Sequence, residues 1–297
     1  MMIAWLKKNR GMLLRIGGSA LSGILLTWLI ASNWNNILTA LQEISVTDLF
    51  LAFGLILCSR LLTVARWYIL LRSGGIPVSF KNAVSLTFTG LFANNFLPTT
   101  VGGDVVRLAG IMQLGYDRAV CLASLAADRL VNMVGMSLAA PLGLVQLFPA
   151  AGAASALSVT GLVEKGFEFI RNTLASLTIW VKKPSALLVS LGFALAQMLC
   201  MFTANYVLIH GLGGQMPMWR VIGLFSLNYF LGLAPISING YGWQELTISF
   251  LLSQFGGINV SISAAVAVIH RLLMMTASLP GAFTLPGILA SLKKDER

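Results

Sequence analysis

Long apolar segments follow one another along almost the whole chain, separated by short polar stretches. Several of them are long enough to cross the hydrocarbon core of a bilayer, which takes about 20 residues of helix. We therefore predict an all-α protein, a polytopic membrane helix bundle that forms a single transmembrane domain over residues 1–297. About six full spans are predicted, near residues 12–30, 46–71, 119–147, 150–163, 184–209 and 260–292. Residues 166–180 have the pattern of an amphipathic helix on the inner membrane surface.

One apolar segment is interrupted within residues 92–107, FANNFLPTTVGGDVVR. Pro98 lacks a backbone N–H and disfavours helix at the residue before it. Gly102 and Gly103 allow backbone conformations that other residues avoid, and Asp104 is a favourable N-cap for a new helix. The pattern predicts two short helical limbs joined by a break, at 82–97 and 104–114.

A second interruption, PISINGYGWQE over residues 235–245, repeats this order of residue types. Proline comes first, then polar residues, two glycines and an acid, here represented by Pro235, Ser237, Asn239, Gly240, Gly242 and Glu245. The flanking limbs are predicted at 219–234 and 246–255. The charges at the span ends predict that the first break opens to the cytoplasm and the second to the outside. They do not distinguish a re-entrant hairpin from two short spans. Broken elements of opposite orientation are typical of an inverted repeat, with repeats at about 46–147 and 184–292.

The composition supports a membrane protein and argues against nucleic-acid binding. Hydrophobic residues make up 57% of the chain, charged residues 10%, and the mean hydropathy is +0.84, so there is no room for a sizeable soluble domain. The formal net charge is +10, but the basic residues lie beside span ends and form no single stripe. The positive-inside rule and contact with anionic lipid explain them. We expect a multi-pass protein of the cell (inner) membrane with both termini in the cytoplasm.

Ionisable residues inside apolar segments are the candidate site. A charge at the bilayer centre costs about 2.5–3.5 kcal/mol on insertion scales, so such residues face a partner or a wet cavity. Arginines outnumber carboxylates, which predicts that a ligand brings negative charge; the planar arginine fork suits phosphate. The residues are Arg60, Arg66, Arg107, Arg129 and Arg271 against Asp104, Asp128 and Glu245.

Structural alternatives remain open for these charges. In the structural alternative, Asp104 serves only as a helix cap, and Arg107 is its i+3 partner on the same face. Asp128 and Arg129 point about 100° apart on a helix, so each needs a partner elsewhere, which is either another helix or a ligand. Glu245 suits the first turn of a helix. Snorkelling toward an interface is the alternative for Arg60 and Arg66.

The sequence contains no motif for catalysis, metal or cofactor. GxSxG, HExxH and Walker patterns are absent, and the two histidines do not have the spacing of metal ligands. The three cysteines each lie alone in an apolar segment and predict no disulfide. We therefore predict no catalytic residue, no metal and no cofactor.

Three motifs together resemble a known family. They are NNFLPTTVGGDVVRL, which opens with Asn94 and Asn95, the pair Asp128–Arg129, and P-x-S-x-x-G-x-G-x-x-E from Pro235 to Glu245. The chain is similar in these motifs to the lysylphosphatidylglycerol synthase transmembrane-region family, also called flippase-like domain proteins. The resemblance covers nearly the whole chain. It implies flipping or export of lipids such as aminoacylated phosphatidylglycerol, glycolipids or hopanoids.

Some features of the family are absent here. Larger relatives carry a cytosolic aminoacyl-transfer domain after this region, whereas this chain ends at Arg297, so lipid lysylation is not inferred from the resemblance. Gln244 stands where many relatives have arginine, and Asn239 where many have glycine. The resemblance therefore does not identify the lipid.

Our leading hypothesis is a lipid translocase whose partners are anionic membrane lipids; whether it forms a homodimer is left open. The rivals are an integral membrane transferase acting on a lipid-linked sugar or phospholipid headgroup, and a membrane scaffold. We expect residues 99–103 and 237–241 to meet at one polar cavity that contains Arg107 and Arg129. The predicted substrate-binding residues are Asn94, Asn95, Pro98, Gly102, Gly103, Asp104, Arg107, Asp128, Arg129, Arg60, Arg66, Pro235, Ser237, Asn239, Gly240, Gly242, Glu245 and Arg271.

Overall fold

The structure is a computed structural model that describes residues 10–96, 102–147, 183–234 and 236–286. Helices account for 86% of these residues and no strand occurs among them, which confirms the all-α prediction. In chain order the helices are α1 (Arg10–Ser32), α2 (Trp34–Glu43), α3 (Val46–Ser73), α4 (Phe80–Phe96), α5 (Gly102–Gln113), α6 (Arg118–Leu147), α7 (Pro184–Gly211), α8 (Met218–Gly232), α9 (Trp243–Gln254) and α10 (Val260–Ser278).

Four elements in the described part of the chain are long and apolar enough to cross a membrane. They are α3, α6, α7 and the stretch Val260–Phe283, in which α10 continues into a 3₁₀ turn. Helices α1 and α2 would make a fifth if the pair, which bends by 76°, is one span. The predicted span at 150–163 and the amphipathic helix at 166–180 lie outside the described residues. A multi-pass membrane protein is thus supported, and the total of six spans stays a prediction.

Helices α3 and α7 pack along each other and form the centre of the bundle. Ala52 and Ile56 on α3 and Ala204 and Leu208 on α7 are fully buried. The apolar stripe of each helix is thereby covered by protein, and their other faces carry many exposed leucines, as expected for helices that face lipid.

The first broken element folds back on itself, because α4 and α5 pack against each other. With 17 and 12 residues they are about 25 and 18 Å long, shorter than a ~30 Å hydrocarbon core. A Cβ on Gly103 would lie 2.5 Å from the Gly90 carbonyl oxygen, so only glycine permits this approach. Helix α5 begins at Gly102, two residues before the predicted cap Asp104, which instead lies in its first turn. The turn itself, with Pro98, lies outside the described residues.

The second broken element also has two short limbs, α8 and α9, which pack against each other. They are joined by a 3₁₀ turn at Ile238–Gly240. Asn239, Gly240 and Gly242 all have positive φ, at 54°, 72° and 74°. Asparagine and glycine are the residues that adopt this left-handed region at least cost. Asn239, which stands where many relatives have glycine, is therefore compatible with the same turn. Pro235 lies outside the described residues.

Helix α1 covers the second break. The Oγ of Ser19 accepts a hydrogen bond from the Ile238 backbone N–H at 2.7 Å. A Cβ on Gly242 would lie 2.8 Å from the Cβ of Ser22, so α1 and the turn are in close contact. The exposed backbone of a broken helix in lipid needs such a cover.

Helix α10 contacts the limbs of both broken elements, α4 in the first and α9 in the second. The 3₁₀ turn Leu279–Phe283 that follows it packs on α4, with Gly281 directly beside the Phe88 carbonyl. The two breaks are therefore joined by one helix. The symmetry that an inverted repeat requires stays a prediction.

Candidate functional site

Asp128 on α6 is the centre of the first ion cluster. Its Oδ1 accepts a hydrogen bond from Arg66 Nε at 2.7 Å, and its Oδ2 accepts from both Nη atoms of Arg107 at 3.3 Å. Arg66 Nη1 also donates to the side-chain oxygens of Asn132 at 2.8 Å and Gln197 at 2.7 Å. Asp128 is only 3% exposed, so this carboxylate joins α3, α5 and α6 in a buried, hydrogen-bonded network.

Asp104 in the first turn of α5 is the second carboxylate of this cluster. Its Oδ1 accepts from Arg107 Nη1 at 3.4 Å and its Oδ2 accepts from Arg129 Nε. The Arg129 side chain is 56% exposed, whereas that of Arg107 is 10% exposed. The cluster is therefore buried at Asp128 and accessible at Arg129.

The cluster carries more positive than negative charge. Arg66, Arg107 and Arg129 against Asp104 and Asp128 give a formal charge of +1. The adjacent Asp128 and Arg129 have different partners, as their angular separation on the helix predicted.

The Arg107 guanidinium is held in place by an aromatic ring as well. It lies over the ring of Trp67, 4.0 Å from the centroid, and a cation over an indole face is attracted by the ring. Trp67 Nε1 donates to Ser124 Oγ at 3.3 Å. Arg107 Nε is buried and has no hydrogen-bond partner in the described part of the chain.

A polar cavity of about 80 Å³ opens beside this cluster. That volume holds a few waters, which need two to four polar partners each. Its lining comes from α3, α4, α5 and α6 and consists of Thr63, Thr87, Gly90, Leu91, Asn94, Gly103, Asp104, Arg107 and Arg129. The predicted cavity with Arg107 and Arg129 is present, and its lining among the described residues comes from the first broken element and its neighbours. The turn at 97–101 and Pro235 lie outside the described residues, so the expectation that both breaks wall one cavity stays a prediction.

The second ion cluster holds the second break to α10. Glu245, 4% exposed, accepts from Arg271 Nε through its Oε1. Arg271 Nη2 donates to Gln244 Oε1 at 2.9 Å and to the Gly240 carbonyl at 3.3 Å, and its guanidinium lies 5.1 Å from the Tyr241 ring centroid. An arginine at position 244, as in the family's pattern, would face Arg271, whereas the glutamine accepts from it.

Within the described residues, a hydrogen bond links the second break to the helix that leads into the first. The Tyr241 hydroxyl donates to the backbone carbonyl of Asn95, and Asn95 Nδ2 donates to Ser278 Oγ at 3.0 Å. Residues 99–101 lie outside the described part, so the contact runs through the last turn of α4. The predicted meeting of residues 99–103 with residues 237–241 stays a prediction.

The remaining predicted site residues lie apart from both clusters. Arg60 on α3 is 9% exposed and donates to the Met274 sulfur. Ser237 is 3% exposed and its hydroxyl has no hydrogen-bond partner among the described residues. Gly102 begins α5 and does not line the cavity.

Sequence reasoning missed several uncharged members of the site. Thr63 lines the cavity, and Trp67 stacks on Arg107. Thr63 had a signal, because it lies three residues from both Arg60 and Arg66 on a helix and so shares their side. Gln197, which accepts from Arg66, had none, since it is 131 residues away.

A search of curated proteins finds no match to this chain. A family model, described as the lysylphosphatidylglycerol synthase TM region, matches residues 15–281. The match includes both breaks and both ion clusters. The chain therefore belongs to the lysylphosphatidylglycerol synthase TM region family, whose name relates it to the handling of lipid headgroups.

Proposed function

We propose that this protein is a lipid translocase of the cell (inner) membrane that moves an anionic or phosphate-bearing headgroup across the bilayer. The observation that carries the proposal is the +1 cluster of Arg66, Arg107, Arg129, Asp104 and Asp128 beside a polar cavity. An excess positive charge at membrane depth is expensive unless a ligand or water neutralises it. An anionic headgroup supplies the missing charge while its acyl chains stay in the bilayer.

Arg129 is the residue best suited to meet the headgroup first. Its side chain is more than half exposed and its Nε donates to Asp104. The Asp104 carboxylate thus occupies a position where a phosphate oxygen would bind. Exchange of Asp104 for phosphate on Arg129 costs little, because both offer anionic oxygen acceptors, and phosphate can engage the whole fork whereas Asp104 accepts only from Nε.

Arg107 and Arg66 hold the floor of the site. Both share Asp128, and each is also fixed by a neighbour, Trp67 for Arg107 and Asn132 for Arg66. Such a pre-organised floor loses little freedom when the headgroup arrives, which favours affinity. Movement is downhill or ion-coupled in this proposal, as the sequence carries no nucleotide-binding motif.

A headgroup transferase is the second candidate, and one observation favours it. Glu245 Oε2 is buried without a hydrogen-bond partner in the described part, as an unused base would be. Its other oxygen is held by Arg271, however, and Glu245 does not line the cavity. Asp104 and Asp128 also accept from arginines, so neither is free to take a proton from a substrate in this arrangement.

Reconstitution tests the proposal. Purified protein is placed in phosphatidylcholine vesicles with a trace of fluorophore-labelled phosphatidylglycerol, and dithionite then bleaches the outer leaflet. A translocase raises the bleached fraction from about half toward completion, and mass spectrometry finds no new lipid. A new lipid species in the same vesicles would favour the transferase. If the bleached fraction stays at about half and no new lipid forms, the scaffold is the remaining interpretation.

A further inference from the structure

Arg60 is a buried cation without a carboxylate partner among the described residues. It lies on α3 and is 9% exposed. Its only hydrogen-bond acceptor in the described part is the Met274 sulfur, and its Nε is buried and unbonded. A thioether is a weak, uncharged acceptor. The fork of Arg60 therefore has several N–H donors to offer, in surroundings where an unpaired charge is costly.

The position of Arg60 lies between the two ion clusters. Thr63, three residues further along α3 and thus on the same side of the helix, lines the cavity of the first cluster. Met274 lies three residues after Arg271 on α10, also on a shared side, and Arg271 belongs to the second cluster. Arg60 thus connects the cavity at Arg107 to the break held by Arg271.

A second unpartnered group lies on the same face of α10. His270 is four residues before Met274, which puts both on one side of the helix. Its Nδ1 is buried and has no hydrogen-bond partner in the described residues. Arg60 Nε and His270 Nδ1 are thus both buried and unbonded among the described residues, although buried polar atoms are nearly always paired. They indicate that a polar group visits this region.

We infer that Arg60 is a second anion-binding station, which receives the headgroup after it leaves the cavity at Arg107 and Arg129 and before it reaches Arg271. The inference rests on the proposed translocation and adds an order to it. The group bound is an oxyanion, phosphate or carboxylate, on the lipid headgroup. The weak contact with Met274 keeps the fork in place without competing with that oxyanion.

The stability of a variant separates this role from a structural one. Methionine matches the arginine side chain as far as Nε, carries no charge and suits the apolar contact with Met274. Removing an unpaired buried charge stabilises or leaves stability unchanged, whereas removing a paired one destabilises. Arg60→Met should therefore melt at or above the wild-type temperature in detergent, yet move labelled phosphatidylglycerol at least tenfold more slowly. Arg60→Lys, which keeps the charge without the fork, should fall between the two.

Lipid binding and an exposed arginine give the controls. Arg72→Met changes an exposed residue in the last turn of the same helix and should move lipid at the wild-type rate. Native mass spectrometry should find phosphatidylglycerol bound to Arg60→Met within threefold of wild type, because the first cavity is intact. Inorganic phosphate at millimolar concentration should not slow the wild type; inhibition would mean that the station takes free phosphate instead of the lipid.

Each failure has a separate meaning. If wild type moves no lipid, the proposed function fails. If wild type and Arg60→Met move lipid equally fast, the station is overturned while translocation stands. The station is also overturned if Arg60→Met unfolds, since Arg60 is then structural, or if it loses lipid binding, since Arg60 then belongs to the first site.

Discussion

The hydroxyl of Tyr241 donates a hydrogen bond to the backbone carbonyl of Asn95, although 146 residues separate them in sequence. Tyr241 belongs to the second break and Asn95 to the last turn of the helix that leads into the first. This hydrogen bond pairs a polar group of one break with a polar group of the other, at a place where lipid would satisfy neither group. Any change in the relative position of the breaks during the proposed transport must alter it.

Tyr241→Phe tests this contact. The ring is kept and one hydrogen bond is lost, which costs about 1 kcal/mol of unfolding free energy. We expect a small fall in melting temperature and an altered rate of lipid movement. Tyr68→Phe is the control, because the described part of the chain gives the Tyr68 hydroxyl no hydrogen bond and its ring packs on Phe80. Equal behaviour of the two variants would mean that the bridge has no role.

Asp128→Asn should be far more harmful than Asp104→Asn. Asp128 is the buried partner of both Arg66 and Arg107, and leaving such charges unpaired costs about 3–5 kcal/mol. Asp104 is partly exposed, Arg129 is more so, and Arg107 keeps Asp128 as its partner when Asp104 is lost, so its loss costs at most about 1 kcal/mol. Thermal unfolding in detergent measures both. Similar melting temperatures of Asp128→Asn and Asp104→Asn would contradict the difference in burial between the two carboxylates.

Gly103→Ala should push the limbs of the first hairpin apart. The added Cβ would lie 2.5 Å from the Gly90 carbonyl oxygen, and overpacking of this kind costs about 1–3 kcal/mol. Gly54→Ala on exposed α3 surface meets nothing within 4 Å and should be neutral. A tolerated Gly103→Ala, judged by melting temperature, would mean that the hairpin is looser than described.

The orientation in the membrane is open to cysteine labelling. In a variant without Cys58, Cys121 and Cys200, single cysteines at Lys81 and Arg118 should react with a membrane-impermeant maleimide only from the cytoplasm. A cysteine at Gln215, exposed in the loop after α7, should react only from outside. Labelling of residue 118 from outside would overturn the topology, and the inverted repeat with it.

The sequence predicted the elements well because their signals are local. Apolar length placed α3, α6 and α7 within two residues of their observed ends. Angular spacing correctly separated the partners of Asp128 and Arg129. The predicted start of α5 at Asp104 was wrong, because Gly102 and Gly103 extend the helix.

Partners across helices could not be predicted, because they depend on packing that periodicity does not encode. Nothing local pairs Arg66 with Gln197 or Arg60 with Met274. The sulfurs of Cys58 and Cys200 likewise lie 3.9 Å apart, although each looked isolated in sequence. The separation of the two breaks into different clusters also depends on where α1 and α10 lie.

In the proposed function, Arg107 in the first cavity holds an anionic headgroup by its planar fork. Arg107→Lys keeps the charge and loses both the fork and the planar stacking on Trp67. Arg118→Lys, at the exposed first residue of α6, is the matched control.

The decisive measurement is the rate of labelled phosphatidylglycerol movement in vesicles that contain equal amounts of wild type, Arg107→Lys or Arg118→Lys. We predict that Arg118→Lys equals wild type and that Arg107→Lys is at least tenfold slower while it still inserts and elutes as a folded protein. A wild-type rate in Arg107→Lys would contradict the account, because Arg107 would then serve only as a partner of Asp104 and Asp128.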